Sequence, residues 1–237
     1  MHFYAVDKDG SNEIDLTPFE NVKTTIIDDL EEDPDHVILG LNKRNQQIFD
    51  PYRVNINTGK MEMIAENPGN ISGWLTDHDG KLRIAITSDG VNTSLLYRKS
   101  ESDEFKSILT TDFKEGISPL FFTFDNKNLY VASNRGRDKT AIFEFDLNKS
   151  KEGRLIFEHD EVDVSMVIQT LQKNASNAQN MIKEVIKTFK NFSADKDPAN
   201  NCLDVAIITD PKLRTKKTIK KLNHIAGSCL LYTSPSP

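Results

Sequence analysis

The sequence predicts a mainly β chain of repeated four-stranded sheets followed by a helical tail, and three observations predict it. The first is repetition: Tyr4, Tyr52, Tyr97 and Phe143 fall 48, 45 and 46 residues apart. Laying the stretch 73–98 a further 46 residues downstream sets Asp79-Gly80-Lys81 on Asp125-Asn126-Lys127, and Gly90 on Gly136, without a gap. Moving it upstream, with a slip of one residue, sets Tyr97-Arg98 on Tyr52-Arg53. The second observation is that each repeat divides into short β-branched or aromatic runs bounded by turn formers, the hairpin pattern. The third is a change of composition: residues 1–165 carry 19 basic and 31 acidic side chains, whereas 166–237 carry 11 and 5. Ten of the 11 glycines and 16 of the 19 aromatic residues also precede residue 166, which confines the turn-rich β pattern to the first part. Small sheets recurring every 40 to 50 residues are the units of a β-propeller. The fold class expected is therefore a partial β-propeller of about three and a half four-stranded blades over 1–164, followed by an α-helical tail.

The elements follow in chain order. A half unit opens the chain with "HFYAVD" and "EIDLTPF". The first full unit is "TTIIDDL", "HVILGLN", "PYRVNIN" and "KMEMIAE", and the second is "ISGWLTD", "KLRIAIT", "TSLLYRK" and "FKSILTT". The third is "PLFFTFD", "NLYVASN", "TAIFEFD" and "GRLIFEH". Within "KLRIAIT" the period-two alternation sets Leu82, Ile84 and Ile86 on one face, and Arg83, Ala85 and Thr87 on a smaller second face that a neighbour can also cover. Three and a half blades do not close a ring, and an open end exposes strand edges. The sequence therefore reads as part of a longer propeller, cut internally at its start.

From Asp163 the period changes, with Val164, Val167, Ile168, Leu171, Ala175, Ala178, Ile182, Val185, Ile186 and Phe189 spaced by threes and fours as in an amphipathic helix to about Phe192. "SADKDPANN" then breaks it, and "CLDVAIITDP" and "KKTIKKLNHIAG" read as a short strand and a second helix. The domain division expected is a propeller over 1–164, a helical segment over 165–227 that is either a native interaction element or a foreign graft, and a non-native or disordered tail over 228–237, where "SCLLYTSPSP" resembles translated cloning sequence.

Composition narrows the function classes. No apolar run approaches the roughly 18 residues that span a bilayer, so no membrane partner is expected. "MHFYAVDKDG" has neither the basic start nor the apolar core of a secretory signal, and the compartment expected leans cytoplasmic. The acidic repeats argue against a nucleic-acid partner, since they repel phosphates. Cys202 and Cys229 both lie in the tail, so the repeats are expected to hold without disulfides.

Few side chains point to chemistry. A serine hydrolase of the α/β type needs Gly-x-Ser-x-Gly, which this sequence lacks, and Ser88 and Ser133 sit in turns. His2, His36, His78, His159 and His224 are scattered without ligand spacing, so no metal or cofactor is expected. Asp7, Asp9 and Ser11 mimic the first three ligands of a calcium loop, but Asn12 stands where glycine is needed and Pro18 where a bidentate glutamate is. A hairpin turn is the simpler reading of that stretch. Arg135 and Arg137, in "SNRGRDKT", are the candidate ligand contacts, because paired guanidinium forks suit a carboxylate.

The run 42–64, "NKRNQQIFDPYRVNINTGKMEMI", together with the Asp-Gly-Lys hairpin and "SNRGRDKTAIFEFD", resembles the propeller of the prolyl oligopeptidase family of serine peptidases. The subgroup resembled contains the dipeptidyl-peptidase and acylaminoacyl-peptidase-like enzymes, and the similarity covers about residues 1–164. TolB-like propellers share the Asp-Gly-Lys turn. The resemblance implies a propeller that caps a C-terminal α/β-hydrolase domain carrying Ser, Asp and His, and that admits only short peptides. It transfers no catalytic residue to this chain, which is expected to be inactive by itself. The expected role is gating and substrate selection, with a peptide substrate met through a hydrolase domain missing here. The alternative is a non-enzymatic TolB-like scaffold that binds a protein partner through the predicted helix 165–192.

Overall fold

The computed structural model describes residues 2–30, 33–160 and 163–164, and the backbone of 166–170 and 205–209. Two short strands, β1 (Tyr4–Ala5) and β2 (Ile14–Asp15), form a hairpin. Three four-stranded antiparallel sheets follow, each strand paired with its neighbour in sequence. The first holds β3 (Thr24–Asp28), β4 (His36–Asn45), β5 (Ile48–Asn55) and β6 (Met61–Met63). The second holds β7 (Ile71–Thr76), β8 (Leu82–Ser88), β9 (Thr93–Tyr97) and β10 (Lys106–Thr111). The third holds β11 (Ile117–Phe122), β12 (Leu129–Ser133), β13 (Ala141–Asp146) and β14 (Lys151–Phe157). All fourteen strands lie within the runs expected or overlap them, and the meander repeated three times is propeller-like.

The chain divides between Lys114 and Glu115 into two compact units. In the first, Leu16, Val22, Val37, Leu39, Leu41 and Val54 form a buried cluster, with Phe3, Ala5, Ile14, Phe19 and Tyr52 packed against it. Residues of the opening hairpin thus share a core with β4 and β5, as one blade does with the next. Each fully buried leucine in such a core contributes about 1.5–3 kcal/mol. In β8 both faces are covered, since Leu82, Ile84 and Ala85 are all fully buried. In the second unit, Tyr130, Ile142, Ile156 and Val164 make the core, with Leu120, Phe121, Phe124 and Phe157 around it.

Hydrogen bonding explains the repeated turns. At the β7–β8 turn, Asp77 Oδ1 accepts from the backbone N–H of Asp79 (3.0 Å) and Lys81 (2.9 Å), and Gly80 takes a left-handed φ of +67°. In the third sheet Thr123 replaces that aspartate, its Oγ1 accepts from Asn128 N (3.0 Å), and Asn126 supplies the left-handed φ of +58°. The Thr123 turn holds one residue more than the Asp77 turn, because Asp77 N donates to Lys81 O whereas Thr123 N donates to Asn128 O. The uninterrupted repeat is therefore displaced by one residue along β12. Ile84 stands opposite Tyr97, but Val131 and not Tyr130 stands opposite Phe143.

The helix expected from Asp163 is corrected over its first part. Met166–Thr170 is a strand, β15, paired in parallel with β16 (Val205–Thr209), so the β-branched and aliphatic run from Val167 to Thr170 serves a ladder and not a helical stripe. The short strand expected in "CLDVAIITDP" is β16. The rest of the expected helix, the second helix and the 228–237 tail lie outside the described residues.

Candidate functional site

Several buried and half-buried charges of the first unit lie where neighbouring sheets meet. Arg53, on β5, donates from both terminal nitrogens to the two oxygens of Glu101 (3.1 Å each) and from Nη2 to the carbonyl of Gly80 (2.6 Å). Glu101 Oε1 also accepts from the backbone N–H of Leu82 (3.0 Å), so one bidentate pair joins the first four-stranded sheet to the β7–β8 turn of the second. Burial alone pushes the Glu101 carboxyl up, but the Arg53 and Leu82 hydrogen bonds and the charges of Arg53 and Lys81 outweigh it and hold it below its ordinary 4.5. Arg98 occupies the repeat position of Arg53. It donates to the carbonyls of Leu82 (2.8 Å), Glu101 (3.0 Å) and Ile64 (3.2 Å), the last reaching back to the preceding sheet. Its guanidinium lies 4.5 Å from the Phe105 ring centre.

Two further groups extend this joint. Asn67 binds Phe49 and Ile71 with its side chain, and its backbone N–H donates to the fully buried carboxylate of Asp50 (2.8 Å), which Arg44 also grips from two nitrogens at 3.1 Å. The link between β6 and β7 is thereby fixed. Thr76 Oγ1 donates to the Asp28 carboxylate, tying the first strands of the two sheets together. On the same unit, Lys23, Thr24, Thr25 and Phe49 line a cavity of about 550 Å³.

The residues singled out in the sequence are placed differently. Arg135 Nη1 lies 3.5 Å from Glu152 Oε1 and its Nε 3.9 Å from Glu115, while Arg137 pairs with Glu158 and stacks over Phe143. Arg135 thus faces Glu152 of β14 and Glu115 ahead of β11, and Arg137 faces Glu158 just past β14. Ser133 is buried at the end of β12 and donates to Glu152 (2.7 Å). The Asp7–Asn12 stretch is the turn of the β1–β2 hairpin, closed by Asp7 N to Ser11 O at 2.9 Å. Among the described residues no group of three His, Cys, Asp or Glu is placed to hold a metal. Single-sequence reasoning missed Arg53, Glu101 and Arg98 because the partners are 48 and 34 residues apart. The recurrence of Tyr-Arg at positions 52–53 and 97–98 was the one available signal. The arrangement binds sheet to sheet and holds no nucleophile with a base.

Comparison with known proteins adds kinship to this geometry. No protein-family model matches the chain. It is 31% identical over 172 residues to dipeptidyl aminopeptidase BIII of Pseudoxanthomonas mexicana, a match covering 69% of this chain and 24% of that enzyme. It is also 38% identical over 80 residues to S-methyl-5'-thioadenosine phosphorylase of Synechocystis sp., covering 34% of this chain and 23% of that protein. A phosphorylase of the same name from Bradyrhizobium diazoefficiens matches 31% of the chain at 34% identity. The crystal structure of TolB from Acinetobacter baumannii superposes with a TM-score of 0.46 at 17% identity, over 66% of this chain and 38% of that one. The chain thus spans about a quarter of the length of the curated relatives it matches. The repeats are of the peptidase-propeller class, and this portion of the chain is related to the prolyl oligopeptidase family.

Proposed function

We propose that residues 1–164 are a gating portion of a prolyl oligopeptidase-type serine peptidase, a wall of blades that admits short peptides to a hydrolase domain and excludes folded chains. The observation that carries it is the 31% identity over 172 residues to a dipeptidyl aminopeptidase, in a stretch built of repeated four-stranded sheets. The joints described above suit the role. A wall that excludes by size must not splay, and Arg53, Arg98 and Asn67 fasten consecutive sheets with charge-assisted or multiple hydrogen bonds. Selection then acts on access and leaves bond cleavage to the catalytic groups of the hydrolase domain.

The test is a graft. Residues 1–164 replace the matching blades of the related dipeptidyl aminopeptidase, and hydrolysis of a dipeptidyl anilide is compared with that of a long unstructured peptide. Retained preference for the short substrate, in a graft that elutes as a folded monomer, supports gating. A folded graft that cleaves both equally well rules it out. Capture of a folded protein by these residues, with no effect on peptide preference, favours the binding scaffold.

A further inference from the structure

The strand pair β15–β16 does not belong to the repeat. It is parallel, with Met166 opposite Val205 through to Thr170 opposite Thr209. Every other strand pair among the described residues is antiparallel. Blade strands follow one another through hairpins, whereas adjacent parallel strands need a crossover of a dozen or more residues, usually helical. Here 34 residues, 171–204, separate the two strands, and their sequence carries apolar residues at helical spacing. A parallel pair joined over so long a connection belongs to α/β folds and not to propeller blades.

The change is abrupt. Val164 is still part of the third sheet's core, its N–H donates to Thr140 O at 3.1 Å, and Asp163 Oδ1 accepts from Thr140 N at 2.6 Å. Two residues later the parallel pair begins. Residues 1–164 and 165–237 are 164 and 73 of the 237 residues, close to the lengths of the two kinds of match. The peptidase match covers 69% of the chain, and the two phosphorylase matches cover 34% and 31%. The excess of acidic over basic side chains up to residue 165 also reverses from 166 onward.

We infer that the chain joins coding segments of two different genes at residues 164–166. Before the join stand the propeller repeats, and after it an α/β segment related to the S-methyl-5'-thioadenosine phosphorylases. The test is long-read sequencing of both transcripts and genomic DNA from the source, spanning the codons for Thr140 to Val205. The expected result is loss of every contiguous read across the join. Reads entering from Thr140 continue into another antiparallel-type blade, and reads entering from Val205 continue upstream into phosphorylase-like sequence. Transcripts that run unbroken from Thr140 to Val205 overturn the inference.

Discussion

Arg53 fastens the first four-stranded sheet to the second. Its guanidinium fills a bidentate site on Glu101 and caps the Gly80 carbonyl, and replacing it leaves a half-buried carboxylate and a carbonyl short of a donor. Arg53→Met is expected to lower stability by about 1–3 kcal/mol, the range for leaving a buried polar group without its partner, read as a shift in urea midpoint. A midpoint unchanged within error shows the pair to be a surface ornament. The pH dependence follows from the depressed Glu101 pKa. The unfolded chain binds the proton more readily than the folded one, so this contribution is complete above about pH 4.5 and fades as pH falls through the folded value. Glu101→Gln removes that titration. The stability gap between the parent and Glu101→Gln is therefore expected to narrow between about pH 7 and about pH 3, measured by urea unfolding at each pH. A gap that stays constant places the acid sensitivity elsewhere. A turn carboxylate shows the same electrostatics outside the joint: hydrogen bonds from the backbone and side chain of Asn92, and from Val91 N, hold Asp89 at about 2.

At the scale of the element, the turns set the register. Gly80 has φ +67°, and a Cβ there would meet Leu30 Cδ2 at 2.7 Å. The leucine tip can shift, so the left-handed backbone is the larger penalty, and Gly80→Ala is expected to cost about 1 kcal/mol or somewhat more. Gly90→Ala is the control for φ alone, because its φ of +90° sits where nothing lies within 4 Å. Equal losses in the two variants show that the Leu30 contact contributes nothing. Strand positions were legible in the sequence because each run alternates and is bounded by turn formers, as in "KLRIAIT" between Asp79-Gly80 and Asp89-Gly90. Register was less so. The ungapped repeat sets Tyr130 on Ile84, yet Val131 takes that place, because a turn built on Thr123 closes one residue later than a turn built on Asp77. The helical spacing from Asp163 misled over Met166–Thr170, since a short run of aliphatic residues fits either period and only the distant partner at Val205–Thr209 decides it.

Across the whole molecule, repetition is what the sequence displayed best and long-range charge pairing what it displayed least. Tyr52-Arg53 and Tyr97-Arg98 announce a repeat, but nothing local tells that Arg53 finds its carboxylate 48 residues on. Arg135 and Arg137 drew notice through proximity in sequence, and they lie beside Glu152 and Glu158. The charge reversal after residue 165 falls where the parallel pair begins at Met166. The claim that most needs testing is that residues 1–164 are successive copies of one four-stranded unit. Hydrogen–deuterium exchange of the full chain, resolved by peptide, tests it directly. Protection is expected to rise and fall three times along the chain, highest in the two inner strands of each sheet, β4 and β5, β8 and β9, β12 and β13, and low at β6, β10 and β14. A single protected block, or protection that ignores the repeat, contradicts it.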